Sequence, residues 1–174
     1  DTSGESFRTI DNIFINGFFD VFQRADSSNG ADYASADRWR VTRQIVTTNF
    51  GKYVQSADQT DIPGTPASSI SFDVGAGGNS NSYAYFGQRI ENLRQFLGRT
   101  VKGSFWAKAG IDGQKVTLAW SKYSNLSNDY GYQTFTLTDE WAKYEYQFDV
   151  PTSTGYLSGD HYLEIDFYFD CGTT

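Results

Sequence analysis

The sequence predicts an all-β domain built as a two-sheet β-sandwich of the jelly-roll kind. Two patterns carry that expectation. Apolar and polar residues alternate with period two in segment after segment, which puts alternate side chains on opposite faces of a strand. Turn chemistry, such as Asn29-Gly30 and Asp112-Gly113, falls between those segments. Helix-compatible spacing occurs only at residues 91–97, where Leu93, Phe96 and Leu97 share one side before Gly98 closes the turn. Eight or nine short strands with so little helix imply a sandwich.

Residues 1–9 are polar and read as a tail or linker; residues 10–174 read as a single jelly-roll domain. Residues 13–23 form the first hydrophobic stretch, where Asn16-Gly17 interrupts the alternation and predicts a bulge or tight bend. Residues 26–32 are loop, 39–46 a strand, and 56–69 a long loop marked by Asp61, Pro63, Gly64 and Pro66. Residues 70–74 form a short strand, 75–82 a Gly/Asn/Ser loop and 83–90 a further strand. In residues 100–109, Val101, Phe105, Ala107 and Ala109 point to a core, and Lys102, Ser104, Trp106 and Lys108 point away from it. Val116, Leu118 and Trp120 begin the next alternation, Phe135 and Leu137 another, and residues 128–131 read as a turn between them. Tyr144, Tyr146, Phe148 and Val150 alternate with polar neighbours, as do Leu163, Ile165, Phe167 and Phe169.

Bulk properties narrow the function classes. Hydrophobic residues make up 39% and charged residues 20% of the 174, which is a globular composition. A net charge of −7 argues against a nucleic-acid partner, whose phosphates need a basic footprint. Arg89, Arg94, Arg99 and Lys102 form a local basic run that reads as a solvated face. One Cys and one His cannot supply the four ligands of a structural zinc site, and no apolar run is long enough to predict membrane insertion. The sequence lacks Met, so the chain reads as a fragment or a processed product. Aromatic residues reach 17%, more than a core alone normally uses.

That aromatic excess supplies the candidate sites. Trp106 lies on a face that should be wet. Its flat ring could stack on a sugar, or could be covered by a loop or a neighbouring subunit. Tyr162 and Tyr168 share outward parity on their own strand, and would extend Trp106 into an aromatic strip if the two strands were neighbours. Tyr123, Asn125, Asn128, Asp129, Tyr130 and Tyr132 lie between two strands, where stacking faces beside directional donors and acceptors suit sugar hydroxyls. Trp39 and Trp120 read as core, and Trp141 as packed under a turn. Glu164 and Asp166, about 6.6 Å apart along one strand, resemble a glycosidase pair in spacing only. Such a pair must flank the scissile bond across a cleft, so a solvated face is expected instead. His161 reads as an exposed loop residue, Cys171 as a small hydrophobe, and no nucleophile motif supports catalysis.

An ordered set of segments resembles a known module. Residues 12–24, from Asn12-Ile13-Phe14 to Phe22-Gln23-Arg24, look like the opening strand of a jelly-roll domain of tailed-phage virion proteins, often tail fibres or receptor-binding proteins. Ala36-Asp37-Arg38-Trp39, Gln88-Arg89-Ile90-Glu91, Ser104-Phe105-Trp106-Ala107 and Leu137-Thr138-Asp139-Glu140-Trp141 resemble its later landmarks. Phe22 and Ala25 depart from the Trp and Gly common there, and the chain stops at Thr174 where one more strand usually follows. The resemblance implies a galactose-binding or carbohydrate-binding-module (CBM)-like fold, a virion location, other virion subunits as partners and often a homotrimer. It also implies that a structural calcium is an option, with Asn12, Asn16, Asp20 and Asp170 as oxygen ligands. The expected function is recognition of a host-surface glycan without catalysis. The alternatives are a structural decoration or assembly module of the virion, and an accessory module of a bacterial glycosidase.

Overall fold

The structure, a computed structural model, describes residues 12–29, 32–33, 35–55, 61–75, 80–125, 127–152 and 157–170, with the Asp170 side chain excluded. The tail expected at 1–9 and Cys171 lie outside the described residues. The described chain forms ten strands: β1 (Ser27–Ser28), β2 (Arg40–Gln44), β3 (Thr48–Val54), β4 (Ser68–Val74), β5 (Tyr83–Glu91), β6 (Thr100–Ala107), β7 (Lys115–Tyr123), β8 (Asp129–Thr136), β9 (Ala142–Asp149) and β10 (Tyr162–Asp170). The predicted helical spacing becomes one 3-10 turn, Leu93–Gln95, followed by Gly98 at φ 68°. None of the described helices is long and apolar enough to cross a membrane.

The strands build an all-β sandwich, as predicted. A five-stranded sheet has the order β2-β5-β10-β7-β8; the other strands form β1-β3-β4 and β6-β9, all antiparallel. Alternation on β10 sends Leu163 and Ile165, both 0% exposed, and Phe167 to one face. Both smaller sheets pack on that face. Phe50 of β3 meets Phe86 at 5.2 Å, Phe105 of β6 meets Phe167 at 5.1 Å, and Phe148 of β9 stacks on Trp120 at 5.0 Å. Trp39 is buried as expected, while Trp120 is half-buried against the core. The second face of the five-stranded sheet has no layer upon it among the described residues.

The structure departs from the sequence expectations in several places, among them the two-residue strand β1 inside the loop expected at 26–32 and the start of β4 at Ser68 inside the loop expected at 56–69. Residues 12–24 form no strand. The bend predicted at Asn16-Gly17 is a tight turn, in which the Phe19 N–H donates to the Asn16 carbonyl at 3.1 Å. The Asn16 amide organises it: Oδ1 accepts from the Asp20 and Val21 N–H groups at 2.9 and 3.1 Å, and Nδ2 donates to the Val21 and Asp37 carbonyls. Gln88 of β5, 2% exposed, takes the place of a strand partner by exchanging two hydrogen bonds with the Ile15 backbone, at 2.8 and 2.9 Å. Phe14 and Phe19 then pack on Trp39 at 5.3 and 5.1 Å, so the segment caps the core instead of extending a sheet.

Strand β3 was not expected, because Gly51 and Lys52 interrupt its alternation; pairing with β4 and burial of Phe50 form it regardless. The turn expected at 128–131 lies earlier, since β8 begins at Asp129. Ser124 sets it, donating from Oγ to the Ser127 carbonyl at 2.9 Å while its own N–H reaches Asn128 Oδ1 at 3.3 Å.

Candidate functional site

The uncovered face of the five-stranded sheet gathers the polar and aromatic residues into rows. On β10 the outward side chains are Tyr162, Glu164, Asp166 and Tyr168, and antiparallel register places each beside one residue of β5 and one of β7. Tyr168 lies between Tyr85 and Thr117, Asp166 between Gly87 and Ala119, Glu164 between Arg89 and Ser121, and Tyr162 between Glu91 and Tyr123. Strand β2 adds Arg40 beside Gly87 and Thr42 beside Tyr85; β8 adds Tyr132 beside Ala119 and Tyr130 beside Ser121.

Two aromatic ladders bound this face. Tyr85 packs on Tyr168 at 4.4 Å and on Tyr83 at 6.0 Å. Tyr123 stacks on Tyr162 at 4.9 Å with the rings 14° from parallel, and the Arg89 guanidinium lies 4.5 Å from the Tyr162 ring centre. Tyr162 and Tyr168 are six residues apart, so the ladders stand about 20 Å apart along the strand. Between them the small residues Gly87, Ala119 and Ser121 alternate with the longer Arg40, Arg89 and Glu164. This face, crossing the strands between the ladders, is the candidate groove. It opens at one end into a hollow of about 500 Å³ lined by Gln44, Ser80, Asn81, Ser82, Tyr83, Tyr85 and Tyr168.

Charge on the floor is largely paired. Glu164 Oε1 accepts from Arg89 Nε at 3.0 Å and lies 3.9 Å from Arg40 Nη1, which belongs to a guanidinium also 3.5 Å from Asp32 through Nε. Burial works against the Arg89 charge, yet the hydrogen bond and the charge of Glu164 hold its pKa above the ordinary arginine value. Burial raises the pKa of Tyr85 and Tyr162, so both phenols remain protonated donors. Asp166 differs from its neighbours. Burial first, and Glu164 second, push its carboxyl up to about 8, against the opposing pull of Arg40 and Arg89. The solvated face expected at Glu164 and Asp166 is thus corrected: Asp166 is 7% exposed. Flanking tyrosines and the absent side chain at Gly87 let it sink into the sheet surface.

The candidate residues divide accordingly. Tyr162, Tyr168, Tyr123, Tyr130 and Tyr132 meet on the groove face. The last three stand on β7 and β8 and not in a loop, with Tyr130 and Tyr132 80% and 74% exposed on the edge strand. Trp106 is not among them. It points outward from the core as predicted, but on β6, opposite Lys143 of β9. Since β10 pairs with β5 and β7, the strip joining Trp106 to Tyr162 and Tyr168 does not form. Asn125 and Asn128 serve the chain itself, their Oδ1 atoms accepting from the N–H groups of Ser158 and Ser124. Arg89 and Arg94 are not a free basic face either: Arg89 pairs with Glu164, and Arg94 donates to the Leu157 carbonyl at 3.1 Å. His161 is half-buried, not fully exposed.

Arg40, Gly87 and Arg89 are groove residues that the sequence reading missed as site residues, whereas Tyr85 falls in the segment 79–85, a weaker candidate of the same Tyr/Asn composition. The signal was available in the alternation Tyr83, Tyr85, Gly87, Arg89, which mirrors the outward parity of Tyr162 to Tyr168. Of the calcium candidates, Asn16 has its amide engaged in the turn and Asn12 Oδ1 accepts from the Phe14 N–H at 3.1 Å. Asp20 is exposed, and the Asp170 side chain is outside the description. Among the described residues, no group of three or more His, Cys, Asp and Glu could hold a metal ion.

Comparison with solved structures places the architecture. The family 11 carbohydrate-binding module from Clostridium thermocellum, solved in complex with a β-1,3-1,4-mixed-linked tetrasaccharide, is 12% identical. It aligns over 84% of this chain and 87% of its own, with a TM-score of 0.51. The fold is like that of a carbohydrate-binding module. The enzymatically active domain of bacteriophage CBA120 tailspike protein 4 is 19% identical over 83% of this chain, with a TM-score of 0.52. This chain spans only 19% of that tailspike chain. No protein-family model matches the sequence, and a search of curated proteins gives no match.

Proposed function

We propose that this chain is a non-catalytic carbohydrate-binding module of a phage virion protein, and that it recognises a host-surface glycan through the groove on the five-stranded sheet. The observation that carries the reading is the pair of aromatic ladders, Tyr85–Tyr168 and Tyr123–Tyr162, enclosing a floor of paired charges. A sugar offers apolar C–H faces and directional hydroxyls, and such a groove supplies both kinds of partner. A groove across the strands suits an extended oligosaccharide better than a single ring. The likeness in fold to a module bound to a tetrasaccharide supports the ligand class, and the tailspike likeness supports the virion setting. Attachment to other virion subunits, as a trimer, belongs to the same reading.

The family 11 module aligns over nearly its whole length, which favours a second reading: an accessory module of a bacterial glycosidase. That reading keeps the same groove and ligand class and changes only the particle or enzyme that carries it. A glycan array probed with the purified domain, beside binding to host cells and to insoluble polysaccharides, separates the two. Cell-surface glycan binding supports the virion module, polysaccharide binding alone supports the accessory module, and a folded protein that binds neither refutes both.

A further inference from the structure

A carboxyl oxygen on the groove floor, that of Asp166, is buried without a hydrogen-bond partner. Asp166 lies on β10, the central strand of the five, and faces the groove. It is 7% exposed, and its Oδ1 is buried without a hydrogen bond. The carboxyl fills the notch above Gly87, where an added Cβ would collide with Oδ1. The titratable groups facing it are Glu164 and Tyr168 on β10, Tyr85 and Arg89 on β5, Arg40 on β2 and Tyr132 on β8; β7 presents Thr117, Ala119 and Ser121. Both arginines are paired with Glu164 and neither bonds Asp166. Buried polar atoms in folded proteins are nearly always satisfied, so an orphan on the floor of an open groove points to a partner that arrives from outside.

We propose that Asp166 is a ligand-reading residue of this groove, and that the ligand it reads is an uncharged sugar. The proposal rests on the carbohydrate reading above. A protonated carboxyl donates through its O–H and accepts through its carbonyl, whereas a carboxylate only accepts. Two adjacent sugar hydroxyls offer one acceptor and one donor, which matches the neutral form. Burial and the nearby Glu164 raise the Asp166 pKa to about 8, so the neutral form predominates at neutral pH. Glu164 already engages both guanidinium groups, so an acidic sugar would find no free cation on the floor and would meet a second carboxylate.

The test is calorimetric titration with neutral gluco- and galacto-oligosaccharides, and with uronate- and sialyl-bearing counterparts, at about pH 6 and about pH 9. The expected result is binding of neutral probes that weakens at least about tenfold at the higher pH. Asp166→Asn should flatten that dependence, while Asp166→Ala should weaken binding about tenfold at the lower pH with the circular dichroism spectrum unchanged. A carbon NMR titration of the Asp166 carboxyl, without any sugar, should show a midpoint near 8. An unchanged pH dependence in Asp166→Asn, full binding by Asp166→Ala, a preference for acidic probes, or a midpoint near the ordinary 3.8 would each overturn the assignment. Failure of every probe to bind would overturn the carbohydrate reading and this ligand with it. Binding that is indifferent to Asp166 would overturn this assignment alone.

Discussion

Removing the charge option at Asp166 should change how stability depends on pH. In the folded chain the carboxyl holds its proton up to about pH 8; in the unfolded chain it releases it near the ordinary value of 3.8. Between those limits the native state binds more protons than the unfolded state. Stability from this group is therefore fully present below the unfolded pKa and is lost as pH rises through the folded one. Each pH unit in that window costs at most about 1.4 kcal/mol, so four units set a ceiling of about 6 kcal/mol. Relaxation of the side chain into the open groove would lower this to the order of a few kcal/mol. Asn cannot ionise and nearly preserves the shape, so its own packing cost is the same at every pH. The assay is urea unfolding of wild type and Asp166→Asn at about pH 5 and about pH 9. Relative to wild type, the variant should gain a few kcal/mol between the two conditions. Parallel pH profiles for the two proteins would refute the buried, protonated carboxyl.

Three further perturbations test the architecture. Trp39→Ala should destabilise the domain by about 3–5 kcal/mol in denaturant unfolding, because the ring is 3% exposed and packs on Phe14, Phe19 and Phe86. Gly87→Ala should displace the Asp166 carboxyl, lower its pKa towards the solvated value by exposing it, and lower the melting temperature; a carboxyl titration reads the first effect directly. Asn16→Ala removes the side chain that accepts two N–H groups and donates to two carbonyls, and should cost about 2–4 kcal/mol with faster amide exchange across residues 15–21.

The sandwich was legible because most of its strands carry clean alternation. Val116, Leu118 and Trp120, or Leu163, Ile165 and Phe167, tell the inner face by parity alone. Where tertiary contacts decide the outcome, neither alternation nor resemblance was enough. Residues 12–24 look like a strand, but their backbone partner is the side chain of Gln88, which no local pattern announces. Strand β3 has the opposite fault, a poor local pattern rescued by pairing with β4. For the groove, five tyrosines were legible from parity and composition. Their assembly was not, since it depends on strand order: β10 lies between β5 and β7, which unites Tyr162 with Tyr123 and leaves Trp106 on the other layer. Asp166 was misread because burial on an outward face requires small neighbours across two strands, Gly87 and Ala119, and their register is invisible before folding.

The central claim is that the groove, and not the Trp106 face, binds glycan. The most direct measurement is a glycan-array and host-cell binding comparison of wild type, Tyr85→Ala, Tyr162→Ala and Trp106→Ala, each first shown to be folded. The account predicts that either tyrosine change weakens binding about tenfold or more, while Trp106→Ala binds as wild type does. Binding that survives both tyrosine changes and disappears with Trp106 would contradict it.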